Sequence, residues 1–147
     1  METVVKIISG TLIGTSAMTA FSYYLSYEFR KKFQEPRLLT YVMQRIALNL
    51  PAKSIIVASW FIHYLLGLLF VIAYHLLWNC CFEFNWLSTL AFGCVSGLIG
   101  IFGWIVIFSL PSEKPKVAYT SYFIQLFFAH IILAFGVFLT YKIIDLY

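Results

Sequence analysis

Four long uncharged stretches set the pattern of this chain. Ile7 to Tyr27, Ser54 to Phe82, Phe84 to Ser112 and Val117 to Tyr141 contain no Asp, Glu, Lys or Arg. Each exceeds the roughly 20 residues an α-helix needs to cross a hydrocarbon layer about 30 Å thick. Lipid offers no hydrogen bonds to bare peptide groups, so runs of this length are read as helices rather than as the short alternating segments of a barrel. The pattern predicts spans at about 5–27, 54–78, 85–110 and 117–144 in a single transmembrane domain, 1–147.

Between the first two spans the period changes. In EPRLLTYVMQRIALNLP, Leu38, Leu39, Val42, Met43 and Ile46 recur at helical spacing opposite Arg37, Thr40, Gln44 and Arg45. Pro36 suits the first turn and Pro51 closes the segment. This predicts a short amphipathic helix at about 36–49, lying in the interface on the bilayer surface. It would serve as a connector held among the headgroups, or as a lid or docking helix. The expected fold class is therefore all-α: a polytopic membrane protein, four transmembrane helices in a bundle plus one interfacial helix.

Composition agrees with that class. Apolar residues make up 62% and charged residues 11%, against roughly 45–50% and about 25% in a soluble domain. Eight of the ten basic residues fall between spans one and two (Arg30, Lys31, Lys32, Arg37, Arg45, Lys53) or between three and four (Lys114, Lys116). Cytoplasmic loops carry the excess of Lys and Arg, so both termini are expected outside the cytoplasm of a cell (inner) membrane. The net charge of +4 then reflects loops meeting anionic headgroups, with the lipid bilayer as partner and no nucleic acid. The first run is read as a retained helix and not a signal peptide, because the strongly basic stretch follows it instead of preceding it.

Small residues suggest how the helices associate. Gly10 and Gly14 in the first span, Gly67 in the second, and Gly93, Gly97, Gly100 and Gly103 in the third let backbones approach closely, which drives association in lipid. Spans one and three are the expected centre of the bundle. The halves also align: His63 onto His130 brings Tyr74 onto Tyr141, each eleven residues further on. A parallel repeat about an axis along the membrane normal is one reading of that match, and chance is the other.

His63 and His130 are the histidines placed within the spans. His63 lies ten residues beyond Lys53, about 15 Å of helix rise, near mid-membrane; His75, beside Tyr74 and Trp78, falls in the aromatic interface. Three roles stay open for the buried pair: hydrogen bonds between helices, a proton relay or ligand site with Tyr74 and Tyr141 as further candidates, or axial ligation of a b-type haem. All six carboxylates sit outside or at the ends of the apolar runs, so no intramembrane acid is expected. No hydrolytic triad, phosphate loop or metal-ligand spacing appears, and no catalytic residue is assigned. Cys80 and Cys81 are open to disulfide or metal contact outside, but without a Cys-x-x-Cys pair the cysteines, Cys94 included, are expected to be inert.

The segments GTLIGTSAMTAFSY, EPRLL, ASWFIHYLLGLLFVIAYHLLW and GCVSGLIGIFGW resemble those of small four-helix bacterial inner-membrane proteins, loosely YagU-like. Met18-Thr19 in a Gly-rich first helix, then His63, Tyr64, Gly67 and Phe70, then a Gly-stepped third span ending in Trp104, carry the similarity. The resemblance implies no activity. Glutathione-handling four-helix membrane enzymes share length, helix count and a basic first loop, but FRKKFQEPR lacks the Asn that their loop sets three residues before a Glu.

The function expected first is a non-enzymatic scaffold or accessory subunit of a membrane complex, self-associating or binding a partner through its glycine seams. A small-solute or lipid carrier or channel with a His-lined path is the alternative. A cofactor protein holding haem b between His63 and His130 is the second alternative; no cofactor is expected otherwise.

Overall fold

The structure is a computed structural model and describes residues 2–46 and 50–146. Those residues form five helices: α1 (Glu2–Glu28), α2 (Glu35–Ile46), α3 (Ala52–Cys80), α4 (Trp86–Ser109) and α5 (Tyr119–Ile144). α1, α3, α4 and α5 are each long and apolar enough to cross a membrane. The chain is thus an all-α, multi-pass membrane protein built as a helical bundle. The last part of the expected interfacial helix, residues 47–49, lies outside the described residues.

The breaks between helices follow local chemistry. Asn85 caps α4 by accepting from the backbone N–H groups of Leu87 (3.0 Å) and Ser88 (2.9 Å), while the Ser88 hydroxyl accepts from the Asn85 N–H in return. Pro51 precedes α3, and Pro111 and Pro115 sit in the connection before α5, where helix continuation would cost most. The α1–α2 turn passes through Arg30 in the left-handed region at φ 51°. The chain reverses there, and Ser26 Oγ accepts the Phe33 N–H at 3.0 Å, which tucks the Phe33 ring into the core. The next residues are thereby returned along the side of α1.

α5 is the axis of the bundle, contrary to the expectation for spans one and three. It buries 50% of its most apolar stretch, against 28–33% for the other three, and packs on α1 along one side and α4 along the other. The glycine seams of α1 and α4 do not meet each other because both are turned to α5. A methyl group at Gly14 would stand 2.9 Å from Val137 Cγ2 and 3.0 Å from the Leu133 carbonyl; at Gly93 it would stand 2.8 Å from Ile131 Cα. Gly10 faces Tyr141 and Gly97 faces Phe127, likewise on α5. α3 packs on the far side of α1, where Gly67 meets Thr15. Gly103 differs from the expected packing role: nothing lies within 4 Å of its would-be Cβ, because α3 has moved away from α4 there.

α2 also departs from expectation. Leu38 and Val42, read as lipid-facing, are buried at 4% and 1% exposure, and only Ile46 of the apolar set is left exposed at 52%. The apolar face is turned inward onto α3, with Met43 Sδ 3.4 Å from Ser59 Oγ of α3. Arg37 stands over the Tyr23 ring of α1 at 5.4 Å, and Arg45 pairs with Glu113 of the α4–α5 connection. The outward surfaces of the long helices are largely apolar, as in Leu12, Phe61, Leu69, Phe102 and Phe128.

Substituting Gly93→Leu forces a side chain into the α5 backbone and is expected to cost about 1–3 kcal/mol, whereas Gly103→Leu meets open space. Thermal unfolding in mild detergent should show a lowered midpoint for the first variant alone.

Candidate functional site

α3 and α4 meet at one end only. Near their connection Tyr74 donates to Ser96 Oγ at 2.7 Å, Trp78 Nε1 donates to Ser88 Oγ at 3.0 Å, and the Tyr74 and Phe92 rings stack at 5.6 Å. Toward the basic end the helices part, and a cavity of about 220 Å³ lies between them. Leu66 and Phe70 of α3 and Ile99, Gly103 and Ile107 of α4 form its walls, Leu133 of α5 its back, and Glu35 and Leu39 of α2 close it. Three ionisable side chains from three helices reach this cavity: His63 of α3, His130 of α5 and Glu35 of α2.

Each histidine is held by one hydrogen bond. His130 Nδ1 lies 2.8 Å from the Leu126 carbonyl, which can only accept, so Nδ1 carries the proton and Nε2 the lone pair. Its ring fits because position 100 is glycine: a Cβ there would stand 2.5 Å from Cε1 and 2.7 Å from Nε2. The Phe70 ring meets it edge-on at 5.4 Å. His63 Nε2 lies 2.8 Å from Thr19 Oγ1. That hydroxyl already donates to the Thr15 carbonyl at 2.7 Å, so His63 Nε2–H is the donor and Nδ1 the remaining acceptor. The nitrogen that axial ligation of a haem would use on His63 is therefore engaged with α1.

Glu35 lies outside the four spans, as expected, but it is not a solvent-facing loop residue: it is 2% exposed, packed inside the bundle. The reversal at Arg30 and the Ser26–Phe33 contact bring it beside Ser22, one turn back along the same face of α1. Ser22 Oγ donates to Glu35 Oε1 at 2.7 Å. From α5, Gln125 Nε2 approaches Ser22 Oγ at 2.6 Å and Glu35 Oε1 at 3.3 Å. Among the described residues Glu35 Oε2, Gln125 Oε1 and the Tyr122 hydroxyl have no partner. Burial, only partly offset by the Ser22 and Gln125 hydrogen bonds, pushes the carboxyl up from 4.5 to about 7.

The other expected candidates fall elsewhere. Tyr74 and Tyr141 flank Trp78 at the opposite end of the bundle, at ring distances of 6.0 and 5.8 Å, and His75 meets Tyr141 there at 5.8 Å. They share a cluster with the Lys6–Asp145 ion pair, away from the cavity. The structure thus brings His63 and His130 to one cavity and the two tyrosines to another place. Among the described residues no group of three or more His, Cys, Asp or Glu is arranged to hold a metal ion. Sequence reasoning missed Glu35, Ser22 and Gln125. The available signal was Gln125, the one amide in the fourth apolar run, since an amide in lipid requires a buried partner.

No protein-family model matches the chain, and no curated protein and no solved structure matches it significantly.

The raised Glu35 value carries a sign. A carboxyl harder to ionise folded than unfolded stabilises the protein below pH 4.5, and that contribution is lost as pH rises through about 7. The interval corresponds to about 3 kcal/mol at roughly 1.4 kcal/mol per unit. The stability of wild type relative to Glu35→Gln should therefore fall as pH rises from 5 to 8, measured as the difference between their thermal midpoints; a difference that does not change with pH would contradict the assignment.

Proposed function

We propose that this protein is a membrane-embedded carrier that holds one small, largely apolar solute with a polar group. The solute would enter from the bilayer between α3 and α4. The observation that carries this reading is the cavity on which Glu35, His63 and His130 converge from three helices. Intramembrane ionisable groups are costly and tend to mark solute or proton pathways. Apolar walls with a few convergent polar groups are the usual make-up of a small-molecule site.

The excess of Lys and Arg on the α1–α3 and α4–α5 connections supports an orientation with the closed, α2-covered end toward the cytoplasm and both termini outside. The motifs that resemble YagU-like proteins bear on the same place, since Met18, His63, Gly67 and Phe70 all border the cavity. Self-association through glycine seams, one form of the scaffold reading, has less to draw on, since Gly10, Gly14, Gly93 and Gly97 face α5 of the same chain.

Photolabelling in liposomes with trifluoromethyl-phenyldiazirine, a small apolar reagent, tests the reading. Adducts are expected on Trp104 and Leu133, which are 9% and 1% exposed and shielded from lipid, in addition to outward residues such as Phe102. Gly103→Leu, which fills the cavity without touching the α5 seam, should remove the inner adducts and leave the outer ones. Adducts confined to outward residues in the wild type would overturn the proposal.

A further inference from the structure

The α2 end of the cavity has an imbalance of donors and acceptors that points to a ligand class. Glu35 lines the cavity, yet among the described residues no Lys or Arg is hydrogen-bonded or ion-paired with it; its side-chain partners there are the neutral Ser22 and Gln125, both on Oε1. Among the described residues Oε2 has no partner. An unpaired buried acceptor is costly. A ligand group that complements an ionised carboxyl brings N–H donors and a positive charge, as an ammonium does.

The surroundings favour that choice over other polar groups. An anion would face the Glu35 carboxylate, and His63 Nε2 and His130 Nδ1 are already hydrogen-bonded to Thr19 and to the Leu126 carbonyl. A bare metal ion would find no set of three ligating side chains among the described residues. Trp104 and Phe70 line the same cavity as Glu35. Aromatic faces attract ammonium groups. The remaining walls, Leu66, Ile99 and Leu133, suit only a hydrocarbon body.

We infer that the solute is an amphipathic amine, its protonated nitrogen paired with Glu35 and its apolar body lying between α3 and α4. This rests on the carrier reading and gives the solute its chemistry.

Competition against the diazirine in liposomes at about pH 8, where an alkylamine is protonated, tests it with three probes of one shape. Phenethylamine should protect Trp104 and Leu133 from labelling, propylbenzene should protect more weakly, and the anion hydrocinnamate should not protect. Replacing Glu35→Gln should lower the preference for phenethylamine over propylbenzene by about ten-fold or more, with protection by propylbenzene unchanged. An equal preference in wild type and variant overturns the amine assignment while leaving the cavity and the carrier reading intact. Absence of any inner labelling in the wild type removes both. Should Glu35→Gln lose inner labelling altogether, Glu35→Asp decides: amine preference kept supports the assignment, and preference lost with propylbenzene protection kept overturns it.

Discussion

Apolar side chains gain little from leaving lipid for protein, so membrane helices hold together chiefly where their backbones come close enough for extensive van der Waals contact. In this chain most such approaches are made to a single helix. Gly14 meets Gly136 with a would-be Cβ only 2.9 Å from its Cα, and Gly93 and Gly97 admit Ile131 and Phe127 in the same way. α5 is thereby gripped from two sides. α3, whose one close glycine contact is with Thr15 of α1, is left without a backbone partner on α4, and the cavity is the space that results.

That space is asymmetric along the bundle, and the asymmetry shapes its chemistry. At one end Tyr74, Trp78 and Phe92 bind α3 to α4 through rings and hydroxyls. At the other, α2 supplies both an apolar cover, Leu39, and the one acid of the interior, Glu35. The acid is buried because the chain folds back at Arg30 and because Ser22 and Gln125 offer it hydrogen bonds from two neighbouring helices. Burial without a countercharge leaves it hard to ionise, and the hydrogen bonds from Ser22 and Gln125 offset that only in part.

Much of the architecture was legible in the sequence. Uncharged runs longer than a bilayer is thick indicate four helices whatever their neighbours, and the two deep histidines drew notice because imidazole is rare in lipid. The order of packing was less accessible. Glycine spacing announces that a helix approaches something closely, but it does not say what, so the seams of α1 and α4 read as a mutual contact when both belong to α5. Glu35 was hidden for a related reason. Hydropathy places a residue by the character of its neighbours, and Glu35 stands beside Arg37 and Lys32 in a polar loop. Only the three-dimensional return of that loop against Ser22 and Gln125 draws it inward.

The burial of Glu35 against α5 is the claim on which the cavity, its lid and its ligand chemistry turn. Solid-state NMR of the protein in lipid bilayers, with ¹³C in the Glu carboxyl groups and ¹⁵N in the Gln side-chain amides, tests it directly. The account predicts a dipolar contact between one carboxyl carbon and one amide nitrogen that disappears in Gln125→Leu. A spectrum with no Gln125-dependent contact, and with every Glu carboxyl in exchange with bulk water, would contradict it.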